Sequence, residues 1–467
     1  MKGANGMVCK LAAFVCALVA AVAFADAKYE ANWNSLNTRP CPQWWKDAKF
    51  GIFVHWGVYS VPAFAPHDTN SVYECYAEHY ANPKRWEKED SAFPAYHAKH
   101  HPGKSYGDFV ADFTAVDFDP AAWAALFRRS GAKYVVLTSK HHDGFALWPS
   151  AYSPYFNAGM TGPKRDLCGE LTEAVRAAGL HMGFYYSLLE WRHPLCNKND
   201  IGKFVEQVNL PQLKELVVRY RPEIVWTDGE WDYPWKVWRG PEFLSWLYNE
   251  SPVKDTVVAN DRWGAGFRGK CGDHYTTEYE DIAHDGEASD SHPWEECRGI
   301  GLSFGYNRYE TTQQYLSDEA CIETLCDKVS RGGNLLLNIG PTAEGLIPVI
   351  MEERLLAIGR WLEINGEAIY GTVAWEKRPR DMKKTRVYFT RKDDALYAIV
   401  FGSAEKVSVP GVREVDTVTL LGSDRKIAWT RNGDDVEIEM PLFRQGAAPC
   451  EHALVFKLAN INEGRIK

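Results

Sequence analysis

Between about residues 50 and 340 the chain carries eight short apolar runs, at 50–57, 134–140, 182–187, 224–229, 256–261, 274–278, 301–306 and 334–340. Most are continuous rather than alternating, the pattern of strands buried on both faces in a parallel sheet covered by helices. Helical stretches separate several of them. One opens at Asp119-Pro120, an N-cap followed by proline at the first helical position, and closes before Gly131. A second carries Leu167, Leu171, Ala174, Val175 and Ala178 on one face and stops at Gly179. A third places Leu213, Leu216, Val217 and Tyr220 together before Pro222, and Ser317 caps a fourth with Ile322, Leu325 and Val329 inward. This βα alternation predicts a TIM-like (β/α)8 barrel. Its weak member is 274–278, short and polar, which allows an irregular or incomplete barrel.

The segment 58–118 has no sustained period and is rich in His, Tyr and Pro, and a loop of that length inside a compact domain is expected to be functional. After a helix over 352–364 the texture changes to short, often alternating runs at 386–390, 395–401, 406–409, 417–421, 436–440 and 453–458, with Asp, Gly and Asn turns. These predict a C-terminal antiparallel β-sandwich. The expected division is 1–25 as a signal peptide, 26–372 as the barrel and 373–467 as the sandwich.

The signal peptide is read from Lys2 and Lys10, the apolar run 11–24, and Ala23-Phe24-Ala25 as a small-x-small cleavage site. The apolar run is shorter than the roughly 20 residues a spanning helix needs, and no later stretch approaches that length. The mature chain is therefore expected to have no membrane span and to be secreted or periplasmic. Of 11 cysteines two fall in the leader, leaving an odd set of nine with no zinc-like spacing. No metal site and no disulfide framework is expected. A net charge of −9 with no basic run argues against nucleic-acid partners. Eighteen tryptophans in a chain with 13% aromatic residues hint at carbohydrate, because flat aromatic faces pack against the C–H faces of sugars.

In a barrel the chemistry sits at the C-terminal ends of strands. Here those ends supply His55, His141, His142, Tyr185, Asp228, Asn260-Asp261-Arg262 and Glu278. Imidazoles, carboxylates, a phenol and a guanidinium are groups for hydroxyl recognition and acid/base work. Two carboxylates from different strands are what glycosidic cleavage needs, one to attack or stabilise the anomeric carbon and one to protonate the leaving oxygen. Asp228 lies in Trp226-Thr227-Asp228-Gly229-Glu230-Trp231, where Trp226 can pack on a sugar face and Gly229 can let a ligand approach the backbone. The plain alternative makes Asp228 a cap of the following turn.

Four ordered motifs, Phe50-Gly51-Ile52-Phe53-Val54-His55-Trp56-Gly57, His141-His142-Asp143-Gly144-Phe145, Trp226-Thr227-Asp228-Gly229 and Gly333-Asn334-Leu335-Leu336-Leu337-Asn338-Ile339-Gly340-Pro341, resemble the α-L-fucosidases of glycoside hydrolase family 29. The resemblance covers roughly residues 30–460. It implies a barrel plus sandwich, a retaining double displacement on terminal α-L-fucosyl units, fucosylated oligosaccharides or glycoconjugates as partners, and no metal or organic cofactor. By it Asp228 matches the nucleophile, and Glu278 in Thr276-Thr277-Glu278-Tyr279 matches the acid/base, with Glu280 next and Glu295 or Glu296 behind. His55, His141, His142, Tyr185, Trp226 and Arg262 match sugar-contacting positions. Glu74 in Tyr73-Glu74-Cys75-Tyr76 is similar to a sugar-binding Glu-Trp-Tyr motif in which Cys75 replaces tryptophan, so that another tryptophan such as Trp56 would fill the wall. Asp143 and Arg262 are equally placed for a structural ion pair at the rim. The rival readings are an exo-glycosidase for a related sugar such as an α-L-galactoside, a non-catalytic glycan-binding protein, and a metal-dependent hydrolase.

Overall fold

The computed structural model describes residues 29–69, 71–279 and 292–461; the leader and Glu280 lie outside the described residues. Eight parallel strands form the first unit: β1 (Phe50–Val54), β2 (Tyr134–Lys140), β3 (His181–Ser187), β4 (Ile224–Asp228), β5 (Val258–Ala259), β6 (Tyr275–Glu278), β7 (Trp294–Gly299) and β8 (Asn334–Ile339). Their spatial order is β5-β4-β3-β2-β1-β8-β7-β6, so β1 joins the two halves and the sheet curls into a TIM-like barrel. Every residue of β1, β2, β4 and β8 is buried, as continuous apolar runs require of strands covered by helices. Inside the curl Phe53, Val136, Tyr185, Trp226 and Leu336 pack as one cluster, and a larger cluster binds the strands to the surrounding helices. Gly51 is needed because the Tyr134 ring lies across it, and a Cβ there would come within 2.2 Å of that ring.

Local signals place the helices where the sequence puts them. Asp119 accepts from the amides of Ala121 and Ala122 and starts Pro120–Arg129, while Ser317 accepts from Ala320 and starts Asp318–Ser330. Leu167–Ala177 and Leu210–Tyr220 occupy the expected spans, the second ending at Arg221 in the left-handed region.

The seventh strand departs from the expectation. It runs over Trp294–Gly299, and 301–306 is an irregular loop that follows it. The sequence reads polar at 294–299 because Glu295 points into the barrel, accepting from the Tyr134 hydroxyl (2.5 Å) and the Trp226 indole (3.0 Å), while Glu296 faces the other way and accepts from Thr277 (2.6 Å). An apolar count misses a strand whose inward residue is a satisfied carboxylate.

The curl is not closed by strand pairing, since β5 and β6 are not neighbours in any ladder among the described residues. One main-chain bond and several side chains stitch the seam instead. Asp273 gives its amide to the Ala259 carbonyl (2.8 Å) and takes the Ala259 amide on its carboxylate (2.8 Å). Asp261 accepts from the amide and hydroxyl of Thr276 (3.1 and 2.7 Å) with one oxygen and from the Gly269 amide (2.7 Å) with the other.

The second unit has a five-stranded antiparallel sheet that begins with Val373–Ala374 and a three-stranded one of Lys406–Val409, Trp429–Asn432 and Asp435–Glu439. Val407, Val409, Val436 and Ile438 of the smaller sheet share one apolar cluster with Leu396, Ala398 and Phe456 of the larger. The Trp361 indole donates to the Ala453 carbonyl (3.0 Å) and Arg386 pairs with Glu319 and Glu323, which ties this unit to the barrel helices. All nine described cysteines are free thiols, and among the described residues no helix is long and apolar enough to cross a membrane.

Because Asp261 is fully buried and satisfies three donors across the seam, Asp261→Ala is expected to cost about 3 kcal/mol in denaturant unfolding, the scale of orphaning buried donors. An unchanged midpoint would show that the seam does not depend on this carboxylate.

Candidate active site

At the C-terminal ends of the barrel strands lies a cavity of about 250 Å³. His55, His141, His142, Tyr185, Trp226, Asp228, Arg262 and Glu278 all line it, drawn from β1 to β6. The register of β2 against β3 shifts between Thr138 and Lys140, an irregularity placed just before His141 and His142.

Asp228 ends β4. Its Oδ1 accepts from Arg262 Nη1 (2.8 Å) and its Oδ2 from the Tyr185 hydroxyl (2.9 Å), with His142 Nε2 at 3.6 Å. The carboxylate is thus aimed into the cavity rather than capping a turn. Burial alone would push its carboxyl up, but Arg262, His142 and Arg268 outweigh that and hold it below the usual range. Gly229 adopts φ +75°, and a Cβ there would sit 2.9 Å from Leu189 Cβ and from Ser187 Oγ. Its role is this turn and the close approach of the protein's own chain, not the admission of a ligand.

Arg262 is buried, with its guanidinium 4.4 Å over the Trp226 ring. Its Nε donates to Thr276 Oγ1 (3.0 Å) and its Nη2 to Glu278 Oε2 (3.1 Å). One planar fork therefore spans Asp228 and Glu278. The other oxygen of Glu278 accepts from the Tyr76 hydroxyl (2.8 Å). Asp143 is not the partner of Arg262: it accepts from the Tyr106 hydroxyl (2.6 Å) and the Phe145 amide (3.1 Å). Glu295 and Glu296, bound as described inside and outside β7, do not line the cavity, which leaves Glu278, of the described candidates from the sequence, on the cavity with Asp228.

The histidines are held as neutral rings. His55 Nδ1 meets Asn338 Oδ1 (2.7 Å) and His142 Nδ1 meets Ser187 Oγ (2.6 Å). Burial lowers His55 to about 3 and His142 to about 4, against the pull of Asp228. His141 lies parallel to Tyr185 with centroids 5.5 Å apart, and its buried Nδ1 has no hydrogen-bond partner among the described residues, an open valence for a ligand hydroxyl.

Glu74 does not join this group. It is on the outer side of its loop, where Lys88 Nζ contacts its carboxylate at 2.6 Å. The same loop instead delivers Tyr73, Tyr76, Glu78 and His79 to the cavity. Trp56 does not replace the missing tryptophan either, since it is packed on Phe113, Phe118 and Trp123 away from the cavity. Phe53, Phe304 and Trp226 supply the apolar wall. Trp231, Arg268 and Cys297 complete the lining. Of the residues the sequence does not single out, only those in 58–118 carry a signal, the length and composition of that segment.

Among the described residues no group of three or more His, Cys, Asp or Glu side chains could hold a metal ion. Two carboxylates, the buried Glu78 and the half-buried Glu310, brace the wall of the site. Burial raises Glu78 from 4.5 to about 7, against donation from the Gly305 amide (2.7 Å) and Ser303 hydroxyl (3.2 Å), and raises Glu310 to about 8.

Two outcomes are expected. Arg268, 3.7 Å from Asp228 Oδ1, helps keep that carboxylate ionised, so Arg268→Gln should move the acid limb of kcat/KM to higher pH; a limb that stays in place would exclude the effect. Folding raises the Glu78 pKa, so its stabilising contribution is complete below 4.5 and is lost as pH climbs through about 7. Glu78→Gln should therefore flatten the fall of Tm between about pH 5 and 8, and parallel wild-type and variant curves would contradict this.

Comparison with known proteins agrees with this geometry. The α-L-fucosidase family model matches residues 16–367, and the α-L-fucosidase C-terminal domain model matches residues 380–459. The chain is 42% identical to the tissue α-L-fucosidase of Rattus norvegicus over 94% of each chain, and 41% identical to the α-L-fucosidase of Branchiostoma floridae over 93% of this chain and 96% of that one. Among solved structures, the Thermotoga maritima α-fucosidase in complex with a mechanism-based inhibitor superposes with a TM-score of 0.78 at 38% identity, covering 92% of this chain and all of that one. A family 29 α-L-fucosidase from Bacteroides thetaiotaomicron, a trapped covalent intermediate, gives 0.73 at 27% identity over 89% and 95% of the two chains. The chain therefore belongs to the α-L-fucosidases of glycoside hydrolase family 29.

Proposed function

We propose that the protein is an exported exo-α-L-fucosidase that removes terminal α-L-fucosyl units from oligosaccharides or glycoconjugates with retention of configuration. The observation that carries the mechanism is the Arg262 fork, which sets Asp228 and Glu278 on one cavity. In the first step an Asp228 oxygen bonds to C1 while the C1–O bond breaks and Glu278 gives its proton to the departing oxygen. In the second, Glu278 takes a proton from water as the water oxygen bonds to C1, and Asp228 leaves as carboxylate. Tyr185 and Arg262 hold Asp228 in place and balance its charge, so it is ready to attack without rearrangement. The neutral rings of His55, His141 and His142 and the Trp226 face are placed to receive the sugar hydroxyls and ring. The covalent intermediate trapped in the Bacteroides thetaiotaomicron relative supports double displacement. Export is supported by the leader-like residues 1–25 and by a relative named plasma α-L-fucosidase from Rattus norvegicus at 43% identity.

The test is hydrolysis of nitrophenyl α-L-fucoside by wild type and Asp228→Ala. The variant is expected to lose activity and regain it with azide, giving the β-fucosyl azide. A variant that keeps its rate would remove Asp228 from the mechanism, and a faster rate on the α-L-galactoside would reassign the sugar. Glu278→Ala should lower kcat/KM on an oligosaccharide by about 10²–10⁴-fold and less on the nitrophenyl fucoside, whose leaving group needs no proton. A chelator is expected to leave the rate unchanged, since no step uses a metal.

A further inference from the structure

At about 250 Å³ the cavity is smaller than the roughly 300–1,000 Å³ of sites that hold drug-sized ligands, so it encloses one sugar ring and leaves the rest of a substrate outside. What stands outside is not a uniform polar surface. Two large aromatic side chains that line the cavity are also exposed to solvent, Trp231 at 39% and Tyr73 at 46%. Each is tied to one end of the catalytic pair. Trp231 follows Asp228 by three residues and meets the His142 ring edge-on, with centroids 5.1 Å apart. Tyr73 meets Tyr76 edge-on at 5.7 Å, and it is the Tyr76 hydroxyl that donates to Glu278. The segments bearing the two aromatics approach each other at Lys84 and Asp232 (3.8 Å). Arg268 stands at the same mouth, its Nε held by Glu230 (2.7 Å) and its side chain 38% exposed.

We propose that Trp231 and Tyr73 form a leaving-group subsite that takes a pyranose ring, with a C–H face of that sugar on the Trp231 indole and its hydroxyls within reach of Arg268. The inference rests on the fucosidase reading and extends it to the residue that fucose leaves. A pyranose suits this mouth because it offers an apolar face and a polar rim, and the mouth pairs aromatic faces with a guanidinium. Tyr76, which donates to Glu278, packs on Tyr73, so the subsite lies beside the group proposed to protonate the departing oxygen.

The experiment compares two substrates in wild type, Trp231→Ala, Trp231→Phe and Tyr73→Ala. One is α-L-fucosyl fluoride, whose leaving group has no ring. The other is a fucosyl-galactose or fucosyl-N-acetylglucosamine disaccharide, whichever is cleaved faster. In Trp231→Ala the ratio of kcat/KM on the disaccharide to that on the fluoride is expected to fall about tenfold, equivalent to about 1.4 kcal/mol. Trp231→Phe should recover part of the ratio, and Tyr73→Ala should lower it in the same direction. A purely structural effect would lower both rates together, and an unchanged ratio would overturn the subsite. Wild type that cleaves the fluoride but neither disaccharide would overturn it as well. Wild type that cleaves neither the fluoride nor a disaccharide would instead overturn the fucosidase reading itself.

Discussion

The placement of one buried guanidinium governs the geometry of the site. Arg262 donates from three nitrogens to Asp228, Glu278 and Thr276 while its flat face covers Trp226. A lysine ammonium could not reproduce this, because the planar fork fixes direction as well as charge. Burying a cation among two carboxylates is tolerable only with such complete hydrogen bonding, and losing either partner would leave an uncompensated charge in a dry site. The rest of the barrel end is arranged around that need. Tyr185 and Tyr76 finish the two carboxylates, and Asp261, the neighbour of Arg262 in the chain, anchors the strand that carries Thr276 and Glu278.

The site also separates its charges. His55 and His142 are kept neutral by burial, so they act as directed donors and acceptors rather than as cations competing for Asp228. The fixed positive charge comes from arginines, which do not titrate near neutral pH. Near neutral pH the Asp228 charge is thus balanced by Arg262 and Arg268 rather than by a histidine proton.

Much of this is legible in the sequence because barrels put chemistry at strand ends, and the strands announce themselves as buried apolar runs. Asking what closes each run finds His55, His141, His142, Tyr185, Asp228, Arg262 and Glu278, the motif around Asp228 adds Trp226, and all eight line one cavity. The failures have a common cause. An apolar count moves the strand Trp294–Gly299 to 301–306 because Glu295 makes its inward face polar, and only the positions of Tyr134 and Trp226 explain that residue. Tyr76, Glu78, His79 and Phe304 come from segments without periodicity, where neither spacing nor composition tells which side chain turns inward. Glu74 shows the same limit from the other side, a motif residue that the loop turns toward Lys88.

The seam between β5 and β6 gives the barrel an unequal resilience. Seven strand junctions are ladders of backbone bonds, whereas this one relies on two aspartates, the Arg262 guanidinium and a single main-chain contact. Regions held by few bonds open with less free energy than the whole fold. An opening here would carry Glu278 away from Arg262 while β1 to β4 and the second unit stayed folded. On gradual heating, catalysis would then fade before the global transition begins, and amides around residues 258–278 would exchange with solvent well ahead of those in β1 and β2.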